Sequence, residues 1–284
     1  MSYKYHIEPI TLESVETLGK KRYNSSNHWD NGKPDDYDVI LNNTFTKNWI
    51  DEFHQHYRIL NIDPKDTSWL REASKIGKIT GNFPSSFRED LDDLLTKYKN
   101  FNFFGEKYFI RSETTSLKYG IHGVGPYTSI KQIIESLVSS TDSHSPIPKS
   151  DDSKHIKLYF LPWIEMDEAY EFRIFVHNKR ITAISQQNLY KKNKFFDSLL
   201  PDERTNVITG LIDKIVHYFN DVITKKICLP NYSYDFVFVN DNPYFIEING
   251  FGKEYAAGSA LFHWIIDEQI LYGTTNDIYF RYTC

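Results

Sequence analysis

The chain has few cysteines and no long apolar run. Cys228 and Cys284 are the only cysteines among 284 residues, which is too few for a disulfide framework and lacks the spacing of a zinc site. We therefore expect a protein of the reducing cytoplasm. No apolar run approaches the roughly 20 residues of a membrane-spanning helix. The first residues show no signal-peptide pattern, so we expect no membrane association.

Basic residues are not in excess either. Lys and Arg number 33 against 38 Asp and Glu, and the formal net charge is -5. This balance argues against a general positive field that would attract nucleic acid. Aromatic residues are abundant, with 20 Tyr, 20 Phe and 5 Trp, so bulky side chains are available for a core. The length suits one large domain or two modest ones.

Two polar stretches divide the sequence, which has no internal repeat. Residues 23–37 and residues 139–154 are rich in loop-forming residue types, and the second stretch, rich in Ser, Pro and Asp, is predicted to be mobile. The predicted parts are an N-terminal helical or irregular segment, residues 1–80, and a main domain, residues 81–284, with an N-terminal lobe at 81–155 and a C-terminal lobe at 156–284.

Hydrophobic periodicity predicts single helices that alternate with antiparallel hairpins. The predicted helices are residues 46–57, 85–98, 129–139, 201–223 and 261–270. The predicted strands are residues 107–111, 156–165, 170–176 and 181–186, followed by a hairpin within residues 233–250. This order is typical of the α+β class.

The hairpin at residues 233–250 is the most informative stretch. Its two apolar runs are separated by residues 240–243, Asn-Asp-Asn-Pro, which is turn chemistry. Asp235 interrupts the first run, and Glu247 and Asn249 interrupt the second. Because side chains alternate along a strand, Glu247 and Asn249 share one face.

A three-residue loop in this hairpin would bring the polar side chains together. If Asn240 pairs with Tyr244, Asp235 lies opposite Asn249 and on the same face as Glu247. Carboxylate and amide oxygens are ligands that Mg²⁺ accepts. A solvated strand face is the alternative, but a carboxylate among apolar neighbours is costly unless it is paired or metal-bound. Both interpretations stay open on this segment alone.

Basic residues earlier in the chain are candidates for binding phosphate. Arg111 ends an apolar strand, and Lys118 follows in a Ser/Thr-rich loop with Gly120, Gly123 and Gly125 after it. Arg offers a fork for phosphate oxygens, Lys offers a point charge, and glycines let backbone N–H groups approach. The loop is not a Walker motif. An exposed loop with incidental charge is the alternative.

A second basic strand follows the polar linker. Arg173 shares a strand face with Glu171, so it forms a structural ion pair or points at a phosphate. Upstream, residues 158–165 form a predicted strand and hinge that could enclose an adenine. The candidate residues are Tyr159, Phe160, Leu161 and Trp163. Packing in a core is the alternative for Tyr159 and Phe160.

The order of these motifs resembles that of the ATP-grasp superfamily, and within it the cell-division-cycle protein 123 family. The resemblance is collinear and covers about residues 80–270. Residues 170–186 and 235–252 carry it most specifically, and residues 259–264 resemble the family's closing helix. The resemblance implies an ATP-grasp fold, in which two α+β subdomains hold ATP between antiparallel sheets.

The family's activity is implied by the same resemblance. Its members bind ATP and magnesium and assist the assembly of translation initiation factor 2 by contacting the gamma subunit. By motif match, Lys118 corresponds to the phosphate-binding lysine and Arg173 to the phosphate-facing arginine. Asp235, Glu247 and Asn249 correspond to the metal ligands, although the family usually has Asp where this chain has Glu247. This is the preferred hypothesis.

A related clade supplies the alternative hypothesis. Residues 109–118 lack the Pro-Lys-Asp ending of the family's strand. The arrangement of Arg111, Lys118 and Arg173 resembles instead the RNA-ligase-like ATP-grasp clade named for two arginines and one lysine. Its members occur largely in phages and other viruses and are inferred to join RNA ends. Whether this protein turns over ATP stays open, and the basic residues 191–194 are a candidate RNA contact or a solvated loop.

Overall fold

The computed structural model describes residues 3–29, 32–101, 103, 105–141, 144–149, 155–255 and 258–284. Parts of the two predicted loops, residues 30–31, 142–143 and 150–154, lie outside the described residues. The chain divides into two compact units. The first unit comprises Met1–Trp49 and Glu165–Cys284, and the second unit comprises Ile50–Ile164.

The described residues form nine strands in two sheets. In chain order the strands are β1 (Lys4–Ile10), β2 (Arg58–Ile62), β3 (Tyr108–Arg111), β4 (Ile156–Pro162), β5 (Glu171–His177), β6 (Arg180–Gln186), β7 (Tyr232–Val239), β8 (Asn242–Asn249) and β9 (Asp277–Thr283). The sheet of the first unit has the order β1-β9-β6-β5-β7-β8, and the sheet of the second unit has the order β2-β4-β3.

The described residues also form ten α-helical segments. They are α1 (Leu12–Leu18), α2 (Tyr37–Asn42), α3 (Ile50–Phe53), α4 (Pro64–Thr80), α5 (Arg88–Lys97), α6 (Ile130–Ser139), α7 (Lys194–Ser198), α8 (Pro201–Tyr218), α9 (Thr224–Lys226) and α10 (Glu268–Leu271). Short 3₁₀ turns lie at Gly19–Lys21, Thr46–Asn48, Ser85–Phe87 and Glu168–Tyr170, and a π-helical turn at Phe219–Ile223. Within the described ranges, no helix has both the length and the apolar character to cross a membrane.

The sheet of the first unit joins the two ends of the sequence. β1 and β9 pair in parallel, from Lys4 opposite Asp277 to Ile10 opposite Thr283. β9 also pairs in parallel with β6, whereas β6, β5, β7 and β8 are antiparallel neighbours. β9 is therefore held on both sides by strands that are distant in sequence.

Both faces of this sheet are covered. On one face, the rings of Phe172 and Phe236 have centroids 6.1 Å apart, and Phe236 packs in turn against α8. On the other face, the ring of Phe175 lies 5.6 Å from Phe262 and 5.5 Å from Trp264. Burial on both faces explains why these strands are almost continuously apolar, and it makes a charged side chain among them exceptional.

The second unit packs helices on its three-stranded sheet. α4 starts with Pro64 in its first turn and ends at Gly81, which has a φ of 70°, so both ends follow the usual helix signals. Gly77 lets α4 approach α6 closely, because a Cβ at this position would lie 2.5 Å from Cγ1 of Val138. Apolar side chains of α4, α6 and β4 share one core, which includes Leu70, Ile134 and Phe160.

The predicted α+β class is confirmed, and most predicted elements have the correct type. The predicted strands at 107–111, 156–165, 170–176 and 181–186 correspond to β3, β4, β5 and β6, and the predicted helices at 85–98, 129–139 and 201–223 to α5, α6 and α8. Sequence periodicity did not indicate α4 or the strands β1, β2 and β9.

Two helix predictions are wrong. Residues 261–270 form turns before the single-turn α10. Side chains replace the helical hydrogen bonds here, since the N–H of His263 donates to Oδ2 of Asp267 at 2.9 Å. Residues 46–57 form a 3₁₀ turn, the four-residue α3 and then irregular chain.

The division into units differs from the domain boundaries suggested by the sequence. The chain passes from one unit to the other between residues 49 and 50 and between residues 164 and 165. The sequence instead suggests boundaries after residues 80 and 155. Strand pairing is the physical reason. β1 pairs with β9, which brings the N-terminal residues into the first unit, and β2 pairs with β4 across the polar linker.

Candidate functional site

Arg173 on β5 and Asp235 on β7 lie directly opposite each other in the sheet of the first unit. Both are buried, with 6% and 2% of their surface exposed. The guanidinium donates two parallel hydrogen bonds to the carboxylate, from Nε to Oδ1 and from Nη2 to Oδ2, each 2.7 Å long. Bidentate pairs of this kind are strong and fix the orientation of both side chains. The sheet therefore holds one buried ion pair at its centre.

The charge of Arg173 follows from its surroundings. Burial on its own would lower the pKa of Arg173, but the charge and hydrogen bonds of Asp235 raise it above the ordinary value. The negative charges of Glu247 and Glu171 act in the same direction. Arg173 is thus a cation among acidic side chains and stabilises their charged forms.

Other groups on the same sheet face hold the pair in place. Gln187, just after β6, donates from Nε2 to Oδ2 of the aspartate at 3.2 Å. Nη1 of Arg173 donates to the backbone carbonyl of Gly258. Ser185 lies opposite the arginine in β6, and its Oγ accepts from the N–H of Leu261 at 3.0 Å. The segment after β8 therefore covers this face through hydrogen bonds to the site residues.

The turn that connects β7 and β8 has two residues rather than the predicted three. Val239 pairs with Asn242, and Asn240 and Asp241 between them have φ values of 49° and 65°. Positive φ at both central positions is what a type I′ turn requires, and Asn and Asp tolerate it better than most residues. The prediction that Asn240 pairs with a residue across a three-residue loop is therefore wrong.

The predicted register of the hairpin is also wrong, but the three polar side chains still share one face, as predicted. Asp235 lies opposite Glu247, and Asn249 lies opposite Ser233. The shorter turn alone would move the polar side chains of β8 to the other face. An extra residue in β8, Ile246, forms a bulge at this point and restores the alternation. Asp235, Glu247 and Asn249 consequently share one sheet face.

The amide of Asn249 is incompletely satisfied. Its Nδ2 atom is buried and has no hydrogen-bond partner among the described residues. A buried polar atom without a partner costs about 1–3 kcal/mol, so a water or another hydrogen-bonding group at this position would be favourable. Because the oxygen and nitrogen of an amide exchange places on a 180° rotation, Asn249 can present its oxygen to a cation at that position.

Few side chains near this amide could serve as metal ligands. In the part of the chain that the structure describes, no three His, Cys, Asp or Glu side chains cluster in a way that could hold a metal ion. A cation here would use the two carboxylates of Asp235 and Glu247 together with the oxygen of Asn249. This set of hard oxygens fits Mg²⁺, which usually keeps several waters and shares its ligands with phosphates.

The second unit carries the other basic candidates. Arg111 is buried at the end of β3, with 3% of its surface exposed, and its backbone forms a bridge with Ser116. Ser112 closes the intervening turn, because its Oγ accepts from the N–H of Thr115 at 3.1 Å. Lys118 is exposed, and its Nζ lies 5.5 Å from the centre of the Tyr119 ring.

The candidate adenine residues divide between the two faces of β4. Phe160 has no exposed surface and packs in the core of the second unit. Tyr159 and Leu161 alternate with it and point to the other face. The hydroxyl of Tyr159 donates to Oε1 of Glu113 at 2.5 Å. Trp163 is half-buried beyond the end of the strand.

The sequence identifies most of this arrangement but not all of it. Asp235, Glu247, Asn249 and Arg173 come together in the first unit, and Arg111, Lys118 and the β4 residues belong to the second unit. Gln187 and Gly258 were not anticipated. A polar residue just after an apolar strand was the available signal for Gln187, whereas Gly258 acts through its backbone and leaves no side-chain signature.

Comparison with known proteins shows the family of this chain. The D123 family model matches residues 128–283. The chain is 23% identical over 254 residues to a CDC123-like protein of Acanthamoeba polyphaga mimivirus, covering 83% of this chain and 75% of that protein. It is 29% identical over 136 residues to the translation initiation factor eIF2 assembly protein of Candida albicans, covering 46% of this chain and 35% of that protein.

A solved structure has the same fold. Cdc123 from Schizosaccharomyces pombe superimposes with a TM-score of 0.57 at 16% identity, covering 86% of this chain and 97% of that one. At this identity the likeness establishes the mixed α+β fold. The family match covers more than half of the chain and includes Arg173, Asp235, Glu247 and Asn249. The resemblance to the cell-division-cycle protein 123 family is thereby confirmed, and the chain belongs to the D123 family, the family of CDC123.

Proposed function

We propose that this protein is a cytoplasmic assembly factor for translation initiation factor 2 that binds ATP and magnesium through an ATP-grasp fold. The observation that carries the metal site is the sheet face that Asn249 shares with Asp235 and Glu247, where the amide Nδ2 of Asn249 has no hydrogen-bond partner among the described residues. The assembly role is supported by the family and by the function named for the Candida relative.

The metal would be held by side chains of the first unit. Asp235 accepts hydrogen bonds from Arg173 at both oxygens and from Gln187 at Oδ2, and in this proposal its carboxylate is also a ligand of the metal. Glu247 and Asn249 complete the set. Magnesium supplies charge neutralisation for the phosphates of a nucleotide. Arg173 acts on this site by fixing the orientation of Asp235.

The phosphate-binding roles are assigned by the family resemblance. Asp235 uses Nε and one N–H of Nη2 of Arg173, and Gly258 uses one N–H of Nη1. A phosphate would take the remaining N–H groups on Nη1 and Nη2. Lys118 and Arg111 of the second unit supply further positive charge in this proposal. Tyr159, Leu161 and Trp163 are the proposed adenine contacts, and Phe160 is left in the core.

The protein partner in this proposal is the gamma subunit of translation initiation factor 2. The test is affinity capture of this subunit by the tagged protein, in buffer with ATP and MgCl₂ and in buffer with EDTA. We expect capture in the first buffer. Asn249→Leu should reduce it, whereas a variant of an exposed residue away from the site, Lys75→Gln, should not.

Joining of RNA ends is the outcome that would replace this proposal. The basic residues 191–194 were its candidate contact, but Lys191 is paired with Glu168 at 2.8 Å. The same protein preparation should be incubated with 5′-phosphorylated RNA, ATP and MgCl₂. RNA joining that is lost in Lys118→Met, without capture of the gamma subunit, would contradict the assembly role and support a ligase.

A further inference from the structure

A second candidate site lies on the opposite face of the first unit's sheet. A cavity of about 620 Å³ opens between α8, the start of β5 and the β7–β8 turn. Its β7 wall is Phe238, which alternates with Asp235 and therefore points away from the cluster around Arg173. The cavity is thus separate from the proposed metal site.

Aromatic side chains form the walls of this cavity. The rings of Tyr170 and Phe195 have centroids 5.3 Å apart, and both residues are only half-buried. Phe238 is buried against Phe236, with ring centroids 5.1 Å apart. Rings held in this way present fixed apolar faces to a ligand at little conformational cost.

Gly210 leaves the α8 side of the cavity open. The cavity-facing residues of α8 recur at helical spacing, with Val207, Gly210 and Lys214 among them. Glycine is among the least favourable residues in a helix interior. A Cβ at Gly210 would meet no atom within 4 Å, and its φ is not positive. Neither close packing nor backbone conformation therefore requires glycine here, and the space of its missing side chain belongs to the cavity.

The polar groups of the cavity are mainly acidic. Its lining includes Glu165, Asp167 and Asp241, against one lysine, Lys214. Lys214 is paired with Asp241 at 2.6 Å. Burial raises the pKa of Tyr170, and the charges of Asp167 and Asp241 raise it further. The charged side chains beside the aromatic walls are therefore mostly acidic.

We propose that this cavity binds an arginine side chain of a peptide segment on a protein partner. The guanidinium would stack on the rings of Tyr170 and Phe195 and pair with the acidic groups, while the aliphatic stem covers Phe238. Arginine suits the site better than lysine because its planar cation stacks on aromatic rings and offers a fork to carboxylates. The inference goes beyond the proposed function, since it requires neither ATP nor the initiation factor.

Two neighbouring grooves favour a peptide over a free small cation. One groove shares Glu165 and Asp167 with the cavity and continues toward Tyr190. Another shares Asn206 and Val207 and continues to the start of α8. An arginine bound in the cavity would therefore have room for its own chain on either side.

The proposal can be tested by NMR titration of the ¹⁵N-labelled full chain. The probes are the peptide Gly-Ser-Gly-Ser-Arg-Ser-Gly-Ser-Gly and the same peptide with citrulline, a neutral isostere, in place of arginine. We expect the arginine peptide to shift the amide signals of residues 206–214. Its affinity should exceed that of the citrulline peptide about tenfold or more.

Variants of the cavity residues distinguish the effect of cavity shape on peptide binding from the effect of charge. Gly210→Leu keeps the charge and fills space, so binding should weaken about tenfold. Gly210→Ala is the matched control and should bind like the parent chain. Asp241→Asn removes a carboxylate from the cavity and leaves Lys214 without this partner, so it should also weaken binding. Asparagine accepts the positive φ of this turn position, so the backbone should be unaffected.

Three outcomes would overturn the proposal. The first is equal affinity for the arginine and citrulline peptides. The second is unchanged binding to folded Gly210→Leu, with folding checked by thermal melting. The third is tighter binding of free arginine or spermidine than of the peptide, which would make the cavity a small-molecule site.

Discussion

At the scale of single residues, we expect a large loss of stability when the buried ion pair of Arg173 and Asp235 is broken. Asp235→Ala would leave Arg173, which is 6% exposed, as a buried charge without its main partner. We expect this change to lower the free energy of unfolding by about 3–5 kcal/mol without added nucleotide or metal. Urea unfolding followed by circular dichroism measures the loss.

A double variant is the control for this prediction. Asp235→Ala combined with Arg173→Met removes both charges, and replacing a buried ion pair by apolar side chains is often neutral. We expect the double variant to recover most of the stability that Asp235→Ala loses. If Asp235→Ala unfolds at the same urea concentration as the parent chain, the ion pair does not contribute to the stability of the fold.

Asn249 should behave in the opposite way. Its Nδ2 has no partner among the described residues, so Asn249→Leu replaces an unsatisfied amide by an apolar group of similar size. Without metal, we expect the stability to hold or to rise by up to about 1 kcal/mol. In the presence of MgCl₂ and ATP, the thermal stabilisation expected of the parent chain should be lost.

Asn249→Asp is the matched control at this position, because it keeps an oxygen ligand. We expect it to retain stabilisation by magnesium and ATP. Differential scanning fluorimetry distinguishes the variants in one experiment. Equal stabilisation of Asn249→Leu and the parent chain would show that this amide does not bind the metal.

At the scale of elements, the β7–β8 turn determines whether the site residues share a face. Asn240 has a φ of 49°, a conformation that costs a residue such as alanine roughly 1 kcal/mol more than glycine. We therefore expect Asn240→Ala to lower the free energy of unfolding by about 1 kcal/mol and Asn240→Gly to leave it nearly unchanged. Chemical unfolding of both variants, compared with the parent chain, tests the turn. Similar losses for the two variants would contradict the type I′ assignment.

The same hairpin shows how far the sequence can predict this site. Alternation placed Glu247 and Asn249 on one face, and Asp235 was added to that face through an assumed three-residue loop, which is wrong. The two-residue turn and the bulge at Ile246 were not predicted, because several loop lengths fit the same turn residues. The pairing of Arg173 with Asp235 could not be predicted either, since it depends on which strands are neighbours in the sheet.

At the scale of the whole chain, distant residues stabilise the first unit. Asp267 is 5% exposed and pairs with Arg281 at 2.8 Å and with Arg22 at 2.6 Å. Burial would raise the pKa of Asp267, but the hydrogen bonds from Arg281 and Arg22 hold it below its ordinary value. The ionised carboxylate thus contributes stability above the unfolded-state pKa of about 3.9, and this contribution is lost as the pH falls through the folded-state pKa.

A substitution at this position should therefore have a pH-dependent effect. We expect Asp267→Asn to lower the free energy of unfolding by about 3 kcal/mol at pH 7. The difference from the parent chain should shrink as the pH falls from about 4 through the folded-state pKa, because the carboxylate of the parent chain becomes protonated over this range. Urea midpoints at several pH values measure it. A difference that does not change with pH would show that the charge of Asp267 is not responsible.

The fold class and the positions of most central strands could be predicted, whereas the long-range pairing could not. β1 and β9 pair although Lys4 and Asp277 lie at opposite ends of the sequence. Local periodicity carries no signal for such contacts. α4 is only sparsely apolar on its buried side, where Ala73 and Gly77 contact the core, so it lacked the stripe that identified α6.

Magnesium-dependent binding of ATP tests the central claim most directly. ATP should be titrated into the protein by isothermal calorimetry, once with MgCl₂ and once with EDTA, using the parent chain and Asn249→Leu. We predict that the parent chain binds ATP with magnesium, at least about tenfold more tightly than in EDTA, and that Asn249→Leu loses this difference. Absence of ATP binding in both buffers, or equal binding by both proteins with and without magnesium, would contradict it.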